Sequence, residues 1–141
     1  METGRGLTTG ESKLNDFVPS EKSILVLDSN PLEQAVFRDA LQSADYLVIT
    51  ASDLGEAVDR LNLMRPDLLL TCPYINSMSG PMAADYLRGR APGLPVLIVA
   101  GFMNDDRVVV AKAVANYHTF PKPFTRDELL AEVRRILSGN D

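Results

Sequence analysis

The chain has 141 residues, 45% of them hydrophobic and 23% charged, with one cysteine, one histidine and a formal net charge of -5. That length suits a single domain able to bury its own core without covalent staples. A lone cysteine excludes an intramolecular disulfide. The acidic balance, with basic residues scattered among acids, argues against a phosphate backbone as partner. No apolar run reaches the roughly 20 residues that cross a bilayer, and the first residues lack the hydrophobic core of a secretory signal. The cytoplasm is the expected compartment, with neither nucleic acid nor membrane as partner.

Residues 1–21 are rich in Gly, Thr, Ser and mixed charge without helical or strand period, and read as a flexible leader. From Ser23 the chain alternates between two kinds of segment, which define a domain over 22–138 with a short tail at 139–141. "SILVL" (23–27) is the first short apolar run. Asn30-Pro31 then reads as a helix cap with a first-turn proline. Glu33 is placed to complete a capping box, and Leu32, Val36, Ala40 and Leu41 form the stripe. "YLVITA" (46–51) is the second strand; Asp53 and Glu56 repeat the capping device ahead of Leu54, Ala57, Val58 and Leu61, and Pro66 stops that helix. "DLLLTC" (67–72) is the third strand, followed by a helix over 81–90 with a thin apolar stripe. "PVLIVA" (95–100) is the fourth. Residues 105–115 carry acids in their first turn but three consecutive valines, which a strand would accept as readily; the alternation makes them a helix. "YHTF" (117–120) is the fifth strand, and Thr125 with Glu128 caps a last helix carrying Leu129, Leu130, Val133, Ile136 and Leu137 and closed by Ser138-Gly139.

Strand and helix thus alternate five times. Nearly continuous Leu, Ile and Val in three of the strands suit a sheet covered on both faces. Right-handed crossovers then give an α/β, flavodoxin-like, doubly wound five-stranded parallel sheet, expected in the order 2-1-3-4-5 with helices on both faces. Such sheets bind ligands beyond the carboxyl ends of their strands. Asp28, Ser29, Cys72, Ala100 and Lys122 all fall there.

Together these positions resemble the receiver domain of two-component response regulators, from about Ser23 to Leu137. "ILVLDSNP" is similar to its first strand and acidic pair. "PDLLLTCPYINSMSG" is similar to the third strand and its loop, ending in Met78-x-Gly80. "LPVLIVAGF" is similar to the fourth strand, and "FPKPF" to the lysine-proline signature. The resemblance implies an aspartate after the third strand that accepts phosphate, two acids holding Mg²⁺, a hydroxyl after the fourth strand, and an aromatic switch on the fifth. Carried onto this chain, Asp28 keeps the first acid and Ser29 replaces the second. Cys72 stands in the seat of the phosphoacceptor, Ala100 replaces the hydroxyl, Thr119 takes the switch position, and Lys122 with Pro123 remains. The resemblance also implies a cis peptide before Pro123.

The expectation is therefore a degenerate receiver, not an enzyme, with no catalytic residue and Mg²⁺ binding weak or absent, since a thiol is a poor ligand for a hard cation. It would work by contact with signalling proteins, such as a histidine kinase or a downstream regulator. Residues 104–137 are the expected contact face and a candidate homodimer surface. Asp28 and Lys122 are expected to form a direct ion pair. Cys72 is read as a small half-buried hydrophobe filling the space of the missing carboxylate. One alternative is a switch worked by Cys72 oxidation, with Lys122 lowering its pKa, or by a small ligand in the pocket. Another, disfavoured for want of a nucleophile–base pair, is a small flavodoxin-like enzyme. The single His118 makes neither a metal site nor a triad.

Overall fold

The structure, a computed structural model, describes residues 21–100 and 117–139. The expected helix over 105–115, residues 1–20 of the leader and the last two residues lie outside the described residues.

Five apolar segments form the strands of the main sheet, three of them paired on both edges and two at its ends. They are β1 (Ser23–Leu27), β2 (Leu47–Ala51), β3 (Leu68–Thr71), β6 (Val96–Ala100) and β7 (His118–Pro121). They make one parallel sheet in the order β2-β1-β3-β6-β7, which is the 2-1-3-4-5 order expected of the five sheet strands. The three inner strands β1, β3 and β6 are buried along their whole length, which accounts for their unbroken Leu, Ile and Val. A small antiparallel ribbon, β4 (Tyr74–Ile75) with β5 (Met78–Ser79), occupies the loop after β3. Sequence pattern gave no sign of it, since two-residue strands have no period to read.

Four helices are described: α1 (Pro31–Gln42), α2 (Leu54–Leu63), α3 (Gly80–Arg90) and α4 (Arg126–Leu137). α1 and α4 cover one face, where Phe37, Ala40 and Leu41 meet Leu129, Val133 and Ile136 over Val26, Leu70 and Val99. α2 and α3 cover the other, with Ala57, Ala83, Ala84 and Leu87 over Leu25, Leu69 and Ile98. The thin stripe of α3 is thin because small alanines let the helix lie close to the sheet. Phe37 and Phe124 stack with centroids 5.9 Å apart, tying α1 to the segment leading into α4.

Three local expectations are corrected. Leu32 and Val36 do not join the core stripe of α1: they are 79% and 56% exposed, and Phe37 takes the inward position. Glu33 does not close a capping box. Asn30 Oδ1 alone accepts from Leu32 N at 2.8 Å and Glu33 N at 3.2 Å, while the Glu33 carboxylate turns to Lys122. At α2, Asp53 Oδ1 accepts from Glu56 N at 2.8 Å, but Glu56 Oε1 reaches back to Ser52 N rather than to the cap residue. Among the described residues the full capping box forms only at Thr125 and Glu128.

Candidate functional site: the pocket at the strand ends

Parallel strands place their carboxyl ends along one edge of the sheet, so the residues following β1, β3, β6 and β7 converge there. Asp28 leaves β1 with its backbone fixed on both sides. Its N–H donates to Ala51 O at 3.0 Å, and its carbonyl accepts from Gln34 Nε2 at 3.0 Å. The same Gln34 amide donates to Ala51 O at 3.2 Å, so one α1 side chain secures the ends of β1 and β2 together. Thr71 Oγ1 donates to Leu27 O at 2.8 Å inside the sheet and locks the end of β3 to β1. Lys122 N–H donates to Ala100 O at 2.8 Å, extending the β6–β7 pairing by one bond.

The Asp28 side chain is buried, at 1% exposure. Its Oδ1 accepts from Asn30 N at 2.8 Å, while Oδ2 receives no donor among the described residues. Beside it lies Glu33, from the first turn of α1. Burial, then the hydrogen bond that the two carboxyl groups can share only if one is protonated, raises the Asp28 pKa to about 7. Burial pulls Glu33 the same way. The proton on Asp28 and the Lys122 ammonium, both donating to it, nevertheless hold Glu33 below the ordinary carboxylate range.

Lys122 Nζ is salt-bridged to Glu33 Oε2. The direct Asp28–Lys122 pair expected from sequence is therefore replaced: α1 delivers a longer acid to the same cleft, and the ammonium takes the more exposed carboxylate, where both charges keep some water. Glu33 is the pocket residue that sequence reasoning missed. It was read as a cap, and only its position one turn into a helix that starts beside Asp28 could have signalled otherwise. Asp28 is not the only acid of the pocket.

Cys72 follows β3 directly, 7% exposed, with Sγ donating to Tyr74 O at 3.2 Å. Burial first, then the carboxylates of Asp28 and Glu33, push its thiol up to about 12; the opposing pull of Lys122 is the weakest influence. Lys122 does pull this pKa down, as expected, but burial and the two neighbouring carboxylates outweigh it, so the net shift is upward. Gly80 closes the loop behind the cysteine. Its N–H donates to Pro73 O at 2.6 Å, and a Cβ there would stand 2.0 Å from Cys72 O.

The remaining sequence-nominated positions differ in their involvement. Ala100 is buried at the end of β6 and carries no donor. Ser29 is half-buried. Thr119 is half-buried within β7, paired in register with Ile98 rather than at the strand end. The Lys122–Pro123 peptide is cis. One carboxylate oxygen from each of Asp28 and Glu33 and the sulfur of Cys72 lie within 4.8 Å of one another.

A five-stranded parallel sheet in this order, with an acid after the first strand and a lysine-proline step after the last, defines a receiver-type α/β signalling domain. The response regulator receiver domain model matches residues 24–134, and the chain belongs to that family. Among curated proteins it is similar to the response regulator MprA of Mycobacterium tuberculosis, 33% identical over 115 residues, which are 81% of this chain and 50% of that protein. The chain thus spans about half the length of that relative. Solved structures of similar fold include the receiver domain protein of Methanospirillum hungatei JF-1, with TM-score 0.73 at 22% identity over 86% of this chain and 97% of that one. The receiver protein of Sinorhizobium medicae WSM419 has TM-score 0.73 at 21% identity over 88% of this chain and 100% of that one. No helix among the described residues is long and apolar enough to cross a membrane.

Proposed function

We propose that this chain is a receiver module of two-component-type signalling that acts by protein–protein contact and does not accept phosphate on an aspartate. One observation carries the reading. The seat directly after the third sheet strand holds Cys72, a buried thiol whose pKa is pushed up to about 12. A protonated thiol offers neither the nucleophilic oxygen of an acyl phosphate nor a hard ligand for Mg²⁺.

The surroundings support it. Asp28, with a pKa raised to about 7, is in part protonated at neutral pH. Ala100 supplies no hydrogen bond to a phosphoryl group, and Lys122 is engaged with Glu33. Mg²⁺, which the family implies, needs a near-octahedral shell of hard oxygens. The Asp28 carboxylate has a thiol and a lysine-bound carboxylate as its neighbours instead, so the residues present do not fit that ion.

The partner surface is proposed to include the fifth sheet strand and last helix, within 104–137. The open groove there, about 420 Å³, is lined by Phe120, Pro123, Phe124 and Ala131 with Glu132 and Arg135 at its rim. Leu32 and Val36 add exposed apolar surface on α1. Incubation with acetyl phosphate and Mg²⁺ tests the central claim: intact-mass spectrometry returns an unchanged protein. An adduct of one phosphate that survives in the native protein overturns the reading.

A further inference from the structure

We infer that the pocket after β3 holds a thiophilic divalent cation of the zinc class, with Asp28, Glu33 and Cys72 as its protein ligands. The inference rests on the reading of this pocket as one without a phosphoacceptor, and it names what the vacated seat takes instead.

Two separate observations meet here. The first is the donor set: two carboxylate oxygens and one sulfur converge within 4.8 Å of one another, from the end of β1, the first turn of α1 and the end of β3. A shared tetrahedral ion, with metal–oxygen bonds of about 2.0 Å and a metal–sulfur bond of about 2.3 Å, would draw them to roughly 3.5 Å. That is about 1 Å of closure, within reach of side-chain rotation. The second is Asp28 Oδ2, an oxygen of a side chain 1% exposed that finds no donor among the described residues. A buried carboxylate oxygen without a donor, beside a second carboxylate, is satisfied by a proton or by a cation.

The chemistry selects the ion. Sulfur excludes Mg²⁺ and Ca²⁺ and favours zinc, cobalt and cadmium, while two oxygens make the site harder than an all-thiolate one. Three protein ligands leave one position for water or for a partner's side chain, as in open zinc sites. Lys122 occupies only Glu33 Oε2, so Oε1 is left to turn inward. Glu33 and Lys122, with side chains 36% and 31% exposed, form the mouth through which an ion enters. On binding, the thiol proton and the proton held between the carboxyl groups leave to solvent, and Sγ gives up its hydrogen bond to Tyr74 O. No electron transfer is involved.

The test uses the reduced full-length chain titrated with Co²⁺, then with Zn²⁺ in competition. A single equivalent of Co²⁺ should give the near-ultraviolet thiolate charge-transfer band and tetrahedral visible bands, and Zn²⁺ should displace it. Cys72→Ser should abolish the charge-transfer band, and both it and Glu33→Gln should weaken Zn²⁺ at least about tenfold. Far-ultraviolet circular dichroism confirms that each variant folds. Cys72→Asp should reverse the preference toward Mg²⁺. Co²⁺ binding without a thiolate band, or Zn²⁺ bound equally by wild type and Cys72→Ser, overturns the inference as surface association. A phosphate adduct would instead overturn the phosphorylation-incompetent reading, so the two failures are told apart by optical spectrum and by mass.

Discussion

Lys122, at the end of the sheet's last strand, is salt-bridged to Glu33 in the first turn of α1 rather than to the buried Asp28. The pairing closes the mouth of the pocket with two partly hydrated charges and leaves Asp28 to share a proton with Glu33. Because each partner is about a third exposed, water and salt weaken the interaction, and its coupling is modest. A double-mutant cycle of Lys122→Met and Glu33→Gln, read by urea unfolding at pH 7.5, should return about 1 kcal/mol. A coupling of zero would mean that the two groups act independently.

Asp28 makes stability depend on pH in the direction opposite to most salt-bridged carboxylates. Its folded pKa, about 7, lies above its ordinary 3.8, so the native state holds a proton that the unfolded chain has released. Stability from this group is therefore complete below about pH 4 and declines as pH rises to about 7, by an amount on the order of 2 to 4 kcal/mol. Asp28→Asn, which keeps an acceptor for Asn30 N and gains a donor toward Glu33, should be more stable than wild type at pH 8. The two should be close at pH 4. Urea midpoints at the two pH values check this, and a variant less stable than wild type at pH 8 contradicts it.

Cys72 should be a slow thiol. A pKa pushed from 9.0 to about 12 leaves, at neutral pH, about a thousandth of the thiolate of an ordinary cysteine, and burial adds a steric barrier. Alkylation by iodoacetamide at pH 7.5 should be at least about a thousandfold faster in denaturant than in the folded protein. Comparable rates in the two states would restore the redox-switch alternative.

Gly80 should tolerate no side chain. A Cβ there meets Cys72 O at 2.0 Å, a backbone atom that cannot rotate away. Gly80→Ala should cost about 1–3 kcal/mol in unfolding free energy and speed alkylation of Cys72, because relief of the clash moves the cysteine's own peptide. Gly89, beside which a Cβ meets nothing within 4 Å, is the control: Gly89→Ala should be neutral or slightly stabilising.

The sheet was legible because its signals are local. Buried strands such as Leu68–Thr71 must be apolar throughout, and caps such as Thr125 and Asn30 mark where helices begin. The candidate site was legible as a set of strand ends, so Asp28, Cys72 and Lys122 could be nominated together. What sequence hid was the direction of individual side chains. Glu33 fits a capping box in pattern, yet a lysine 89 positions away offers its carboxylate a full charge where a cap offers one backbone N–H. Leu32 and Val36 keep helical spacing with Ala40, but Phe37, larger and one position on, takes the inward place. The pKa of Cys72 could not be read either, because its sign is set first by how deeply the thiol is buried and then by the two carboxylates the fold brings beside it.

The placement of Cys72 also governs how the purified protein behaves in air. The chain's only sulfhydryl is buried, at 7% exposure, and donates to Tyr74 O, a backbone carbonyl of the ribbon. Joining two molecules through it would require both buried thiols to be uncovered at once. The folded protein should therefore run as an uncrosslinked species on non-reducing gels after prolonged aeration, and store without a reducing agent.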